Sequence, residues 1–153
     1  MSGWLAVHLI GVVLFVGNII TAAFWKVRAD LGQDPVIVHG TAKNVMLADY
    51  VFTLPGLALL VASGVTMAVQ GGWPMSGLSW LSVSLILFAV TGVIWLAILI
   101  PLQRRMIRYS AESVTAGALT DAYRRASRYW AVFGIAATLL PVVILYLMVA
   151  KSF

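Results

Sequence analysis

The chain has 153 residues, of which 62% are hydrophobic and 10% charged, and it contains no cysteine. Soluble domains carry about 25% charged residues, so the composition excludes an ordinary soluble globule and predicts one membrane-embedded domain over residues 1–153. The formal net charge of +5 comes from basic residues beside apolar segments, which indicates contact with anionic lipid headgroups and not with nucleic acid.

Four segments have the length and apolarity of transmembrane helices, and they predict an all-α membrane protein, a four-transmembrane-helix bundle. Lys26 and Arg28 follow the first segment instead of preceding it, which is unlike a signal peptide. Asp34, followed by proline, and Thr120 predict the capped starts of the helices that carry the second and fourth segments. Pro55 predicts a kink in the second segment. In chain order, the predicted segments are residues 4–25, 48–69, 78–102 and 129–150.

The distribution of basic residues predicts the orientation of the bundle. The loop after the first segment has three basic residues, the loop after the third has six, and the loop between the second and third has none. The positive-inside rule then places both termini on the outer side and extends helices 2 and 4 into the cytoplasm of a bacterial inner membrane. Six arginines become candidate contacts for anionic lipid: Arg104, Arg105, Arg108, Arg124, Arg125 and Arg128.

Polar side chains recur at helical spacing within the segments and predict a polar bundle interior. For most of them, ordinary helix packing is the simplest interpretation. Asp49 either pairs with Lys26, Arg28 or a later arginine, or takes part in proton transfer. The predicted interior positions are Asn18, Asp49, Thr53, Ser63, Gln70, Ser84 and Thr91.

His8 is the strongest candidate for chemistry, because neutral imidazole is the commonest metal ligand. Its alternative interpretation is an interfacial histidine that bonds to a carbonyl group or to water. His39 belongs to the opposite side of the predicted topology, where we expect a surface histidine, so the two cannot share an iron atom. Met67, and beside it Met75 and Met148, lie near the side of His8 and could supply a second ligand. Apart from haem iron, no metal site is predicted.

Several strings of the chain resemble an uncharacterised group of bacterial four-helix integral membrane proteins. The first string runs from residue 5, through the early histidine, to residues 25–30; the second covers residues 49–56 and is followed by Gly64 and by Gly72-Trp73. Trp80-Leu81 at the start of the third segment belongs to the same pattern. The resemblance covers most of the chain and implies a fold, but it assigns no activity.

A more distant similarity is to the HemJ-type protoporphyrinogen oxidases, which share four helices, an early histidine in helix 1 and a tryptophan-leucine pair that opens helix 3. That resemblance implies His8 as a ligand of haem b. The family follows its tryptophan-leucine pair with a histidine and a lysine tied to activity, where this chain has Ser82 and Ser84. The similarity therefore implies a haem site without the oxidase reaction.

Two classes of function follow from the sequence. The first is a non-catalytic membrane module, such as a structural subunit, a conductor or a lipid-binding scaffold, which could form a homo-oligomer. The second is a haem-b-binding protein that handles electrons or porphyrin, with His8 and Met67 at the iron. An enzyme acting on lipid is disfavoured, since the sequence has no acid–base or metal constellation for it.

Overall fold

The computed structural model describes residues 2–73 and 77–151, and the regular structure of these residues is entirely helical. Two π-helical turns, Asp49–Thr53 and Trp95–Leu99, join pairs of α-helices into longer rods. The described helices therefore form four rods long and apolar enough to cross a membrane, as the sequence predicts. The α-helices are α1 (Ser2–Gly32), α2 (Pro35–Ala48), α3 (Leu54–Gln70), α4 (Trp80–Ile94), α5 (Ile100–Ala116) and α6 (Asp121–Ala150).

Side-chain caps fix the starts of three helices, α2, α4 and α6. Asp34 accepts a hydrogen bond of 3.0 Å from the Val36 amide, directly before the proline that opens α2. Thr120 accepts a hydrogen bond from the third residue of α6, so both predicted caps are confirmed. Ser79 and Ser82 form a reciprocal capping box at α4, which satisfies amide groups that have no partner in the first turn of the helix.

Both π-helical turns lie just before a proline. Pro55 and Pro101 are each the second residue of the α-helix that follows a turn. Proline has no N–H group, and its ring clashes with the carbonyl group four residues earlier, so a wider turn relieves the conflict. The kink predicted at Pro55 thus takes the form of a π-helical turn. Pro141 is buried within α6, and that helix continues past it.

The bundle has two unlike ends. At the end where the loops before α2 and before α6 lie, called the arginine end, α2 packs on α5, and α6 packs on α5 and on α1. At the other end, called the Lys151 end, α1 packs on α3 and α4 packs on α6. Among the described residues, no Cα atoms of α3 and α4 approach within 8 Å. The four rods are therefore closed at the arginine end and separate into two pairs at the Lys151 end.

Helix α1 buries one narrow stripe of residues against the neighbouring helices. Phe15 and Ala22 are buried on this stripe, and a Cβ atom added at Gly56 of α3 would lie 2.9 Å from the Phe15 amide nitrogen. The stripe continues to Lys26, which is 2% exposed, and not to Trp25, which is 64% exposed. Steps of three and four residues from His8 predict that this stripe ends at Trp25. The structure agrees as far as Ala22 and then places Lys26 on the stripe instead.

Candidate functional site

The separation of the helix pairs at the Lys151 end leaves a cavity of about 410 Å³. All four rods contribute to its wall, which is predominantly apolar and includes Phe15, Leu60, Phe88 and Ile144. A volume in this range is typical of binding sites for small molecules and cofactors. The cavity is the first candidate site.

His8 is the polar group of chemical interest in the wall of this cavity. Its Nδ1 atom lies 2.9 Å from the hydroxyl oxygen of Ser63, which is fully buried. The Ser63 hydroxyl points its single proton at the Leu59 carbonyl group, so it can only accept from the imidazole. This geometry favours the neutral tautomer that carries the proton on Nδ1, in which Nε2 keeps its lone pair.

Two of the three methionines predicted near His8 line the same cavity. Met67 reaches it from α3 and Met148 from α6, so the structure places both thioethers in a shared wall with the imidazole. Met75 lies outside the described residues. Gly64 also lines the cavity, and a Cβ atom added there would lie 3.4 Å from Cε1 of His8, so the small residue leaves space for the ring.

A basic side chain lies at the wall of the cavity where α6 ends. Lys151 places its Nζ atom 5.2 Å from the centre of the Trp73 ring and 5.3 Å from that of Trp80, as cation–π contacts. The two indole rings pack edge to face. All three residues line the cavity, which therefore combines an apolar interior with one positive charge.

A second candidate site is a buried carboxylate nearer the arginine end. Asp49 is 4% exposed and begins the first π-helical turn. Its Oδ1 accepts from Asn18 at 3.0 Å and from Thr53 at 3.1 Å, and its Oδ2 accepts from Gln103 at 2.8 Å and from Trp95 at 3.4 Å. Four neutral donors from three rods thus converge on one carboxylate.

The expected pairing of Asp49 with a basic residue is wrong. Lys26 instead pairs with Asp30 at 2.6 Å, which is the single salt bridge within residues 2–73 and 77–151. The Lys26 ammonium group also donates to Ser127 at 2.8 Å and lies 4.8 Å from the centre of the Trp130 ring. An acidic partner one helical turn away and a hydroxyl group from α6 satisfy Lys26, so it has no need of Asp49.

The cluster around Asp30 was missed by the sequence prediction, which placed Lys26 and Asp30 in a loop. The Tyr123 hydroxyl donates to Asp30 at 2.5 Å. Burial and the Asp30 carboxylate raise the pKa of Tyr123, which precedes the apolar segment 129–150, and so hold the phenol protonated as a donor. This cluster joins α1 to α6 and explains why the bundle is closed at the arginine end.

The remaining predicted interior residues divide into two groups. Ser63, Ser84 and Thr91 are buried, and each hydroxyl donates to the carbonyl group four residues earlier in its own helix. These bonds satisfy the donor of each hydroxyl group within its own helix, and the Ser63 oxygen also bonds to His8 of α1. Gln70 does not lie in the interior: it is exposed, because α3 ends there beyond its last inward position, Ala68.

The structure places the other predicted residues at the arginine end. The six arginines proposed for lipid contact are all exposed. His39 is not a free surface residue: it is partly buried, and its Nδ1 lies 2.9 Å from the Ser110 hydroxyl oxygen of α5. His8 and His39 therefore lie on different rods and in different clusters. Within the described residues, no group of three His, Cys, Asp or Glu side chains forms a metal site.

Comparison with known families matches residues 4–152 to the family described as "Predicted integral membrane protein (DUF2269)". The chain belongs to this family. No curated protein and no solved structure matches it. Membership in DUF2269 agrees with the four apolar rods and assigns no activity, and none of these comparisons supports the expected similarity to HemJ-type oxidases.

In this DUF2269 chain, two hydrogen-bond donors to Asp49, Gln103 and Trp95, were not predicted from the sequence. Gln103 lies one residue beyond the predicted third segment, and Trp95 lies inside that segment, where only its apolar character was considered. Their signal is spacing: Trp95, Leu99, Gln103 and Met106 recur at steps of three or four, and all four are buried. The amide on this inward stripe could have been predicted as a partner of Asp49.

Proposed function

We propose that the chain is a membrane-embedded binding module that would hold haem b in the cavity at the Lys151 end, with His8 as the residue that would bind the iron. The observation that carries the proposal is the hydrogen bond between His8 and Ser63 in the wall of the cavity. Because the Ser63 hydroxyl donates to Leu59, this bond favours a proton on Nδ1 and leaves Nε2 as the ring atom able to bind a metal, as in metal-binding histidines whose other nitrogen is held by a hydrogen bond.

The other residues of the cavity fit the same group. A mostly apolar wall suits the porphyrin ring, and the Lys151 ammonium group suits a propionate carboxylate of haem b. Met67 and Met148 are each able to supply the soft sulfur ligand that accompanies histidine in many haem proteins. When bound, haem supplies a one-electron iron couple, and the chain supplies the ligands and an apolar surrounding.

The module is proposed as non-catalytic in its own side chains, because the cavity holds one imidazole and no carboxylate among its lining residues. A general acid–base reaction would need a second titratable group close to the first, and the other titratable side chain of the lining, Lys151, is held over the Trp73 and Trp80 rings at the end of α6. The proposed function is therefore to bind haem, either to transfer electrons or to handle porphyrin. It does not include a reaction catalysed by the side chains themselves.

The proposal includes an orientation, with the arginine end in the cytoplasm and the termini outside in a bacterial inner membrane. The exposure of the six arginines supports this, since each is free to contact water or anionic headgroups. The cavity then opens in the outer half of the membrane. This orientation would give a ligand access from the outer leaflet.

An ultraviolet–visible spectrum of the detergent-purified chain, expressed with ample haem, tests the proposal. We expect a Soret band that is lost in His8→Ala. The matched control is His39→Ala, which removes the other histidine at the far end of the bundle and should keep the band. A colourless wild-type preparation, or equal loss of the band in both variants, would contradict haem binding at His8.

A further inference from the structure

The group at Asp49 has a feature that ordinary packing does not require. Gln103 is 3% exposed, and its Nε2 atom donates to Asp49, but its Oε1 atom is buried without a hydrogen-bond partner among the described residues. Buried amide oxygens nearly always have a partner, so this one calls for an explanation. Among the described residues, the side-chain amide of Gln103 forms one hydrogen bond, and its acceptor is the Asp49 carboxylate.

The two states of a carboxyl group explain the arrangement. An ionised Asp49 accepts hydrogen bonds and needs N–H groups, which Gln103, Asn18 and Trp95 provide. A protonated Asp49 has an O–H group and needs an acceptor. A half-turn of the Gln103 amide would put Oε1 in the place of Nε2, 2.8 Å from Oδ2, at hydrogen-bond distance.

We propose that Asp49 is a reversible proton-binding site and that the side-chain amide of Gln103 is the group that accommodates both of its states. A proton passes from hydronium in the aqueous phase to Oδ2 of Asp49, leaving water, and the O–H group formed then donates to Oε1 of Gln103. The reverse step returns the proton, and Nε2 again donates to the carboxylate. This site is independent of the proposed haem site.

No cation lies beside Asp49 in the described residues, so a proton is the simplest ion that could neutralise it. A buried charge in a membrane is costly unless it is paired, and no basic nitrogen lies within 4.0 Å of this carboxylate in residues 2–73 and 77–151. The rods that surround it present only neutral groups to it. Charged and titratable groups on those rods are engaged elsewhere or exposed, among them Lys26 with Asp30 on α1, His39 and Lys43 on α2, Arg104 and Arg105 on α5, and Tyr123, Arg124, Arg125 and Arg128 on α6.

The backbone around Asp49 also supports a site that gains and loses a proton. Asp49 and Trp95 are the first residues of the two π-helical turns, and their side chains bond to each other across the rods. Such turns recur at functional sites in helices. Gln103 is followed directly by the exposed Arg104, so the aqueous interface of the arginine end is close to the amide that would change state.

Infrared spectroscopy of the full chain in lipid nanodiscs tests the proposal directly. On stepping the buffer from mildly alkaline to mildly acidic, we expect a carboxylic-acid C=O band that shifts on ¹³C-aspartate labelling. The band should be lost in Asp49→Asn. It should persist in the matched control Asp34→Asn, since Asp34 is an exposed cap and asparagine caps equally well.

A second variant keeps the test valid if Asp49→Asn fails to fold. Gln103→Met removes the amide at similar length, so the acid band should remain but move to higher frequency as the O–H group loses its acceptor. A spectrum with no Asp49-dependent change between the two buffers would overturn the proposal. So would a band that responds to sodium in place of choline at constant pH, because the site would then hold a metal cation.

Discussion

Substitution of Gly56 by alanine tests whether the close approach of α1 and α3 holds the Lys151 end of the bundle together. A Cβ atom at this position would lie 2.9 Å from the Phe15 amide nitrogen and 3.1 Å from the Gly11 carbonyl oxygen. Both are backbone atoms, which cannot move aside as a side chain can. Ordinary contact begins at 3.4 Å, so α1 must retreat by about half an ångström along this seam. Overpacking of this kind costs about 1–3 kcal/mol of unfolding free energy.

The assay is reversible unfolding of the purified chain in mixed micelles, followed by circular dichroism. Gly92→Ala and Gly134→Ala are the matched controls, because an added Cβ atom at either position meets nothing within 4 Å. We expect both controls to unfold like the wild type. If Gly56→Ala were as stable as the controls, the close contact of the two helices would be wrong.

Three further predictions concern other parts of the molecule. Ser63→Ala removes the acceptor that favours the His8 tautomer with the proton on Nδ1, and haem titration should show about 10–100-fold weaker binding; unchanged affinity would contradict the role of Ser63. Asp30→Asn leaves a buried ammonium group without its charge partner and should cost about 3 kcal/mol in the same unfolding assay, whereas Asp34→Asn should cost almost nothing; equal losses would refute the buried cluster. A reporter inserted in the loop before α6 should be active on the cytoplasmic side and one in the loop before α4 on the outer side, and the opposite result would reverse the orientation.

The helices of this chain were predictable because hydropathy and caps act locally. Asp34 and Thr120 bond to amide groups two or three residues away, so their role is visible in the sequence. The burial of Lys26 was not predictable in the same way. Its partner Ser127 lies 101 residues away, and hydropathy alone treats a lysine as the end of an apolar segment.

The buried carboxylate shows where inference from charge fails. The sequence indicates that Asp49 lies on an inward stripe, and a basic partner is then the natural expectation. The structure gives it neutral donors instead, one of which, Gln103, is 54 positions away. Several amide, indole and hydroxyl donors can replace one cation, because a carboxylate has about four acceptor sites. Such a set is recognisable only when the rods are assembled.

The two candidate sites share helix α1 but lie on opposite sides of its closest helix contact. His8 and Asn18 are ten residues apart, about 15 Å along the helix axis. Between them, Gly11 and Phe15 lie against Gly56, so backbone packs on backbone there and leaves little room for water. A proton on the carboxylate and a ligand at the imidazole therefore have no polar connection through this seam. The two candidate sites are therefore separate within one bundle, and a substitution that abolishes one should leave the other unchanged.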